Sequence, residues 1–198
     1  FIKNNIEENG YMIMPLIEFS YNTVDFELNE PFPAPPSARH WFGTDEEGRD
    51  ILARLLYGIR LSMIFAILLT VLSSALGIFF GAIQGYFGGK VDILLQRFIE
   101  VWESMPQLFA LIIIASVFAP TFFTLLVILL LFSWTELTGM VRAEFLRARN
   151  FEYVKAAKAL GVSNFRIIWR HILPNAMVVI VTFVPFILAG GIVALTAL

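Results

Sequence analysis

Residues 61–87 contain no Asp, Glu, Lys, Arg or His. An α-helix rises about 1.5 Å per residue, and roughly 20 apolar residues cross a hydrocarbon core of about 30 Å. This run therefore predicts a membrane span. Residues 104–135 are also uncharged but too long for one ordinary crossing. Ala119-Pro120-Thr121 falls near their middle, and proline lacks the N–H a helix interior requires. The reading is a tight helical hairpin with arms at about 98–119 and 121–140. Residues 175–198 form a last apolar stretch, interrupted by Pro185 and Gly190-Gly191. Four spans are expected. The chain is 58% hydrophobic and 15% charged, where soluble domains run nearer a quarter charged. The expected fold class is all-α, a polytopic helical membrane protein.

The net charge of -2 conceals a segregation of the two signs. Residues 1–60 hold Glu7, Glu8, Glu18, Asp25, Glu27, Glu30, Asp45, Glu46, Glu47 and Asp50 against five bases. Residues 140–174 hold Arg142, Arg147, Arg149, Lys155, Lys158, Arg166 and Arg170 against Glu144 and Glu152. Loops on the cytoplasmic side are enriched in Lys and Arg, which places 140–174 inside. Threading backwards puts the turn at Pro120 outside, the 86–97 loop inside and residues 1–60 outside. The expected organisation is an extracytoplasmic segment, 1–60, followed by a transmembrane domain, 61–198, that contains the basic loop.

Two stretches carry more than orientation. In "HWFGTDEEGRDILARLLYGIRLSM", His40 to Met63, Gly43 permits a turn and Thr44 followed by Glu47 fits a capping box. The helix predicted to follow has Ile51, Leu55, Leu56 and Ile59 on one side and an Asp50–Arg54 pair on the other. Such a helix suits the outer membrane surface. Gly48 near its start implies a close packing contact, since Gly costs a helix interior roughly 1 kcal/mol relative to Ala. Upstream, "PFPAPPSARH" reads as a stiff connector, and Asn4-Asn5 and Glu7-Glu8-Asn9-Gly10 as turns.

The second stretch is "EYVKAAKALGVSNFRIIWRHILPN", Glu152 to Asn175. Residues 152–160 favour a helix, Gly161 suits the position that ends it, and Ser163 can cap a second helix. Pro174 then terminates that helix or hands it on to the last span. Ala157 and Gly161 are four apart and leave one face nearly bare, flanked by Lys155 and Lys158. Phe165, Ile168, Trp169 and Ile172 give the second helix an apolar side suited to anchoring. The expected object is a rigid knob with a smooth tip and a basic rim, suited to docking another protein. A basic loop that only fixes orientation and meets anionic lipid is the alternative.

"KAAKALGVSNFRIIWRHILP" resembles the loop of the membrane subunits of bacterial ABC importers: Glu-Ala-Ala, three residues, Gly, then Leu-Pro. Ala156, Ala157, Gly161, Leu173 and Pro174 fall in register. Lys155 stands where the family usually has Glu. "FGTDEEGRDILARLLYGIRLSM" is similar to the Gly-Thr-Asp, two residues, Gly-Arg-Asp motif of the dipeptide, oligopeptide and nickel permeases. Gly43, Thr44, Asp45, Gly48, Arg49 and Asp50 match it. Residues 40–198 look most like microcin C and oligopeptide importer subunits. The resemblance implies a permease fold and coupling helices in 152–174, with Lys158 in the same docking region. It implies ATP-binding subunits that carry ATP and magnesium, a homologous second permease subunit and an extracytoplasmic substrate-binding protein. It also implies a bacterial inner-membrane location, and spans preceding Phe1 and following Leu198.

The residues themselves offer no catalysis. No Gly-x-x-x-x-Gly-Lys-Ser/Thr, His-Glu-x-x-His or Gly-x-Ser-x-Gly occurs, so ATP hydrolysis is expected on a partner. With no cysteine there is no disulfide, thiolate metal site or cysteine nucleophile. His40 and His171 fall on opposite sides of the membrane in this topology, and neither cofactor nor nucleic acid is expected to bind. Glu100, Glu103 and Glu136 approach the spans; they either line a path or sit at the inner interface. Gln84, Gln107, Ser73, Ser74 and Ser133 either line a polar path or hydrogen-bond between helices. Gly77, Gly81 and Gly85 predict a close helix crossing. An ion-coupled secondary transporter and a non-transporting scaffold remain as alternatives to an importer subunit.

Overall fold

A computed structural model describes residues 17–26, 28, 31–119 and 121–196. The expected turns at 4–10, and Pro120 itself, lie outside the described residues. Among the described residues the regular structure is helical: α1 Ile51–Phe87, α2 Gly89–Glu103, α3 Gln107–Val117, α4 Phe122–Ala148, α5 Glu152–Ala159 and α6 Asn164–Thr196. The chain separates into two compact units, Phe1–Ser62 and Met63–Leu198.

Among the described residues, three helices are long and apolar enough to cross a membrane: α1, α4 and α6. The span expected at 98–119 is replaced by α2 and α3. Pro106 opens α3 with extended φ/ψ, and Ser104–Met105 separate it from α2. At 11 residues, α3 is about 16 Å long, too short to cross alone. The expected 86–97 loop is also largely helix. The hairpin turn does fall after α3, where the Thr121 hydroxyl accepts the Thr124 N–H and caps α4. Neither Pro185 nor Gly190-Gly191 interrupts α6. Helix continuity here outweighs two residues that disfavour helices individually.

The second unit is held by a close crossing of α1 and α4. A Cβ added to Gly77, Gly81 or Gly85 would lie 2.9, 2.7 and 2.4 Å from Leu137 Cβ, Thr138 O and Phe145 Cβ respectively. Backbones approach this closely only where side chains are absent, the usual device of helix association in lipid. Asp92 of α2 ties itself to α4 through Arg142, at 2.5 and 2.8 Å. Gly191 of α6 similarly rests on Ala66 and Leu69 of α1.

Candidate functional site

The knob at 152–175 begins with α5, which starts after Phe151 and buries Val154 and Ala157. Its end is closed by backbone hydrogen bonds: Gly161 N–H to Lys158 O at 3.0 Å and Val162 N–H to Ala157 O at 3.1 Å. Gly161 takes φ +74° in open space, the left-handed conformation that suits glycine after a helix. Ser163 occupies the position preceding α6 as expected. Its hydroxyl makes no cap; its carbonyl instead accepts the Ile167 N–H at 3.0 Å. The first turns of α6 pass into π-helical geometry over Ile167–Ile172, with Leu173 N–H bonded to Ile168 O. Pro174 hands the helix on to the membrane span.

This arrangement corrects the expected tip. Ala157 is buried against the protein's own interior together with Ile167 and Ile172, whereas Gly161 is exposed. Four-residue spacing places two residues on one face only while a helix continues, and α5 ends at Ala159. The exposed tip is instead Ala156, Ala159, Leu160 and Gly161, with Leu160 83% exposed. Leu173 is buried at the base and Pro174 is exposed.

The rim differs as well. Lys155 bonds Glu152 at 2.9 Å. Lys158 places Nζ 4.6 Å from the centroid of the Tyr86 ring, a cation–π contact. The Tyr86 hydroxyl donates to Asn164 Oδ1 at 2.7 Å, so α1, α5 and α6 meet at this ring. Arg166 and Arg170 are exposed and make no ion pair among the described residues; they supply the free positive charge. Of the four apolar residues expected to anchor α6, Ile172 is buried and Ile168 partly so. Phe165 and Trp169 are exposed and line an open groove of about 660 Å³ with Ile78, Phe79, Ile83 and Phe87.

In the other unit, the motif beginning at His40 is a folded turn rather than a capping box. The Thr44 hydroxyl accepts the Ala34 N–H at 2.9 Å, and the Thr44 N–H returns to Ala34 O at 3.0 Å. The proline-rich stretch is therefore packed into the fold, with Ala34 buried. Helix α1 begins only at Ile51, where Asp50 Oδ1 accepts the Ala53 N–H at 2.6 Å. The second Asp50 oxygen meets His40 Nδ1 at 2.7 Å, while His40 Nε2 meets Asp25 at 3.1 Å. Arg54 pairs with Asp45 and not with Asp50. Gly43 and Gly48 both take φ +76°; a Cβ would strike Ala34 O at 2.4 Å and the Phe32 ring at 2.5 Å. The contact expected at Gly48 exists, but in a turn.

Asp45 organises that turn. It accepts the Glu47 and Arg49 N–H groups at 3.0 and 2.9 Å and pairs with the Arg49 and Arg54 guanidinium groups. Burial acts to raise its pKa, but these hydrogen bonds outweigh burial and hold the carboxyl at about 2, below the ordinary 3.8. His40 is fully enclosed and stacked on Phe19 at 4.4 Å. The motif pattern singled out both carboxylates; Asp25 was not foreseen, because its partner lies fifteen residues away.

Among the polar residues of the spans, Gln84 is completely buried with neither amide atom bonded, and Ser74 Oγ is likewise unpartnered. Ser73 and Ser133 return their hydroxyls to carbonyls of their own helices. Glu100 pairs with Arg97 at 2.6 Å. Among the described residues no group of three or more His, Cys, Asp or Glu could hold a metal ion.

Residues 77–198 match the family described as binding-protein-dependent transport system inner membrane component. The whole chain is 54% identical to the inner membrane ABC transporter permease protein YejE of Escherichia coli, covering 58% of that protein. It is 50% identical to the peptidoglycan transport system permease protein YejE of Agrobacterium fabrum, again covering 58% of it. Over 72% of its length it is 39% identical to the dipeptide transport system permease protein DppC of Bacillus subtilis, covering 45% of that relative. The chain thus spans about half the length of these relatives. With the match extending from the middle of α1 through the knob and α6, the chain belongs to the family of binding-protein-dependent transport system inner membrane components.

Proposed function

We propose that this chain is a membrane-spanning permease subunit of an ATP-driven importer for peptides or peptide-like compounds. In this reading it forms half of the translocation pathway, and a homologous second permease subunit forms the other half. An extracytoplasmic binding protein delivers the solute. ATP-binding subunits, which hold ATP and magnesium, grip the knob at 152–174; the chain itself is not an enzyme. The names of the relatives support peptide cargo, since dipeptides and the peptidoglycan named for the Agrobacterium protein both contain peptide. The likeness of residues 40–198 to microcin C importer subunits makes compounds of that type candidate cargo.

One observation carries the coupling role: the knob is exposed at its tip and locked at its base. Leu160 projects into solvent while Val154, Ala157, Ile167 and Ile172 are buried. A push on the tip would pass into α6 without a hinge, because the knob's second helix and the last span are one helix. The π-helical segment is a local irregularity of the kind found at functional positions.

The test uses the absence of native cysteine. A single cysteine replacing Leu160, in the assembled importer, should crosslink to a cysteine in the groove of the ATP-binding subunit, and ATP should change the yield. Free labelling of that position in every nucleotide state, without crosslinking, would leave the loop as an orientation signal alone.

A further inference from the structure

An open pocket of about 240 Å³ lies between α4 and α6, lined by Leu137, Met140, Phe183, Phe186 and Ile187, with the exposed Glu136 as its one ionisable side chain. At about 1.5 Å per residue, Glu136 lies roughly 21 Å along α4 from Phe122. That depth falls within a hydrocarbon core of about 30 Å. A carboxylate there is costly against lipid, and such residues face an interior or a polar volume.

The partners of the other acids in this unit sharpen the point. Asp92 pairs with Arg142, Glu100 with Arg97, Glu144 with Arg147 and Glu152 with Lys155, which leaves Glu103 and Glu136 as the two acids of this unit without an ion pair among the described residues. Glu136 makes neither an ion pair nor a hydrogen bond among the described residues, and the carboxylate that acts on it, Glu103, carries the same sign. Its neighbours in the pocket are rings: Phe183 and Phe186 stand 6.5 Å apart between centroids. An anionic oxygen beside two aromatic side chains suits an organic ammonium, which gains both a charge partner and cation–π contact. A metal ion would need several oxygen or nitrogen ligands, and the described residues offer no such set.

The geometry points to Glu136, with Phe183 and Phe186, as a site on the translocation path that receives the protonated amino group of the cargo. This inference rests on the reading of the chain as a peptide permease subunit. It assigns to the membrane subunit a part in cargo recognition: a peptide with a free amino terminus is held there by its charge.

The test is made in the assembled importer in proteoliposomes, with Met140 replaced by the only cysteine of this chain. A cationic trimethylammonium methanethiosulfonate should label that cysteine about tenfold faster than an anionic sulfonate reagent of equal size. Glu136→Gln should bring the two rates together. A peptide with a free amino terminus should slow labelling, and its N-acetylated form should not. In ATP-driven uptake, Glu136→Gln should raise KM for the free-amine peptide about tenfold and leave kcat less affected. Equal labelling rates with Glu136 in place, no labelling in any nucleotide state, or protection by the acetylated peptide would overturn the inference. Uptake by the unmodified importer separates the two readings. If uptake is intact while labelling is indifferent to charge, only the ammonium site fails; if no peptide is taken up, the permease reading fails with it.

Discussion

The two units of this chain are stabilised by opposite means. In the unit of residues 1–62, the most enclosed described side chains are polar: His40, Thr44 and Asp50 are each at most 2% exposed, and Asp25 is 5%. In the unit of residues 63–198, the fully enclosed positions are mainly apolar, among them Phe65, Leu129, Leu137, Phe145 and Ile167. Its main helix crossing depends on glycines that present no side chain. In lipid, apolar surface gains little by leaving its surroundings, so close van der Waals packing must hold spanning helices together. A unit as short as the first buries little apolar surface, and hydrogen-bonded polar side chains determine its shape.

If that contrast is right, the largest effect comes from His40→Ala. The change leaves Asp50 without its ring partner at 2.7 Å and Asp25 without its contact at 3.1 Å, although Arg39 still reaches Asp25 at 3.2 Å. Leaving a buried polar group without its hydrogen-bond partner costs about 1–3 kcal/mol, and more for a carboxylate. Amide hydrogen exchange should show that loss at Ala34 and Ala53, whose N–H groups bond Thr44 and Asp50. Protection in α4 should stay within experimental error. Equal loss in α4 would mean that the units do not respond separately.

The second unit is tested by Gly85→Ala against Gly139→Ala. A methyl at Gly85 lands 2.4 Å from Phe145 Cβ and 2.5 Å from Arg142 O, both on a helix that cannot easily give way. Overpacking of this kind costs about 1–3 kcal/mol. At Gly139, also within α4, a Cβ meets nothing within 4 Å. There alanine should stabilise by up to about 1 kcal/mol through helix propensity. Thermal unfolding in detergent should move in opposite directions for the two variants. A loss at both, one in α1 and one in α4, would show that an added methyl is harmful away from the crossing too and that the crossing is not the cause.

The same contrast explains what could be read in advance. The Gly77, Gly81 and Gly85 spacing was legible because a helix crossing repeats with the helix itself. Three of the four expected spans, at 61–87, 121–140 and 175–198, and the capping position of Gly161 were legible for the same local reason. Failures came where a distant partner intervened. Thr44 and Glu47 satisfy a capping-box pattern, but Ala34 offers the Thr44 hydroxyl a donor from ten residues away, so the helix starts only at Ile51, after Asp50. Ala157 and Gly161 have the spacing of a shared face, yet the turn between them sends one inward and the other outward. Pro106, two residues into the uncharged run, splits the expected first arm of the hairpin between α2 and α3. Hydropathy registers the run and not the break.

The smallest effect separates the polar unit from its own pH. Asp45 is held at about 2 because the Glu47 and Arg49 N–H groups and two guanidinium groups favour its charged form more than burial disfavours it. Its folded pKa lies below the ordinary 3.8, so the turn gains stability from the ionised carboxylate above about pH 3.8. That gain declines as pH falls from there toward about 2, where the folded carboxyl also takes up its proton. The Glu47 and Arg49 amides, which bond Asp45 directly, should therefore lose protection relative to intrinsic exchange between pH 4 and pH 2.5. Asp45→Asn keeps an oxygen acceptor and removes the charge, so it should start from lower protection at pH 5 and lose this pH-dependent part. Because Asp45 remains partly open to water, screening keeps the effect below that of His40. An unchanged slope in Asp45→Asn would show that the Asp45 carboxylate is not the source of the acid sensitivity at the Glu47 and Arg49 amides, and that its hydrogen bonds hold the turn without help from its charge.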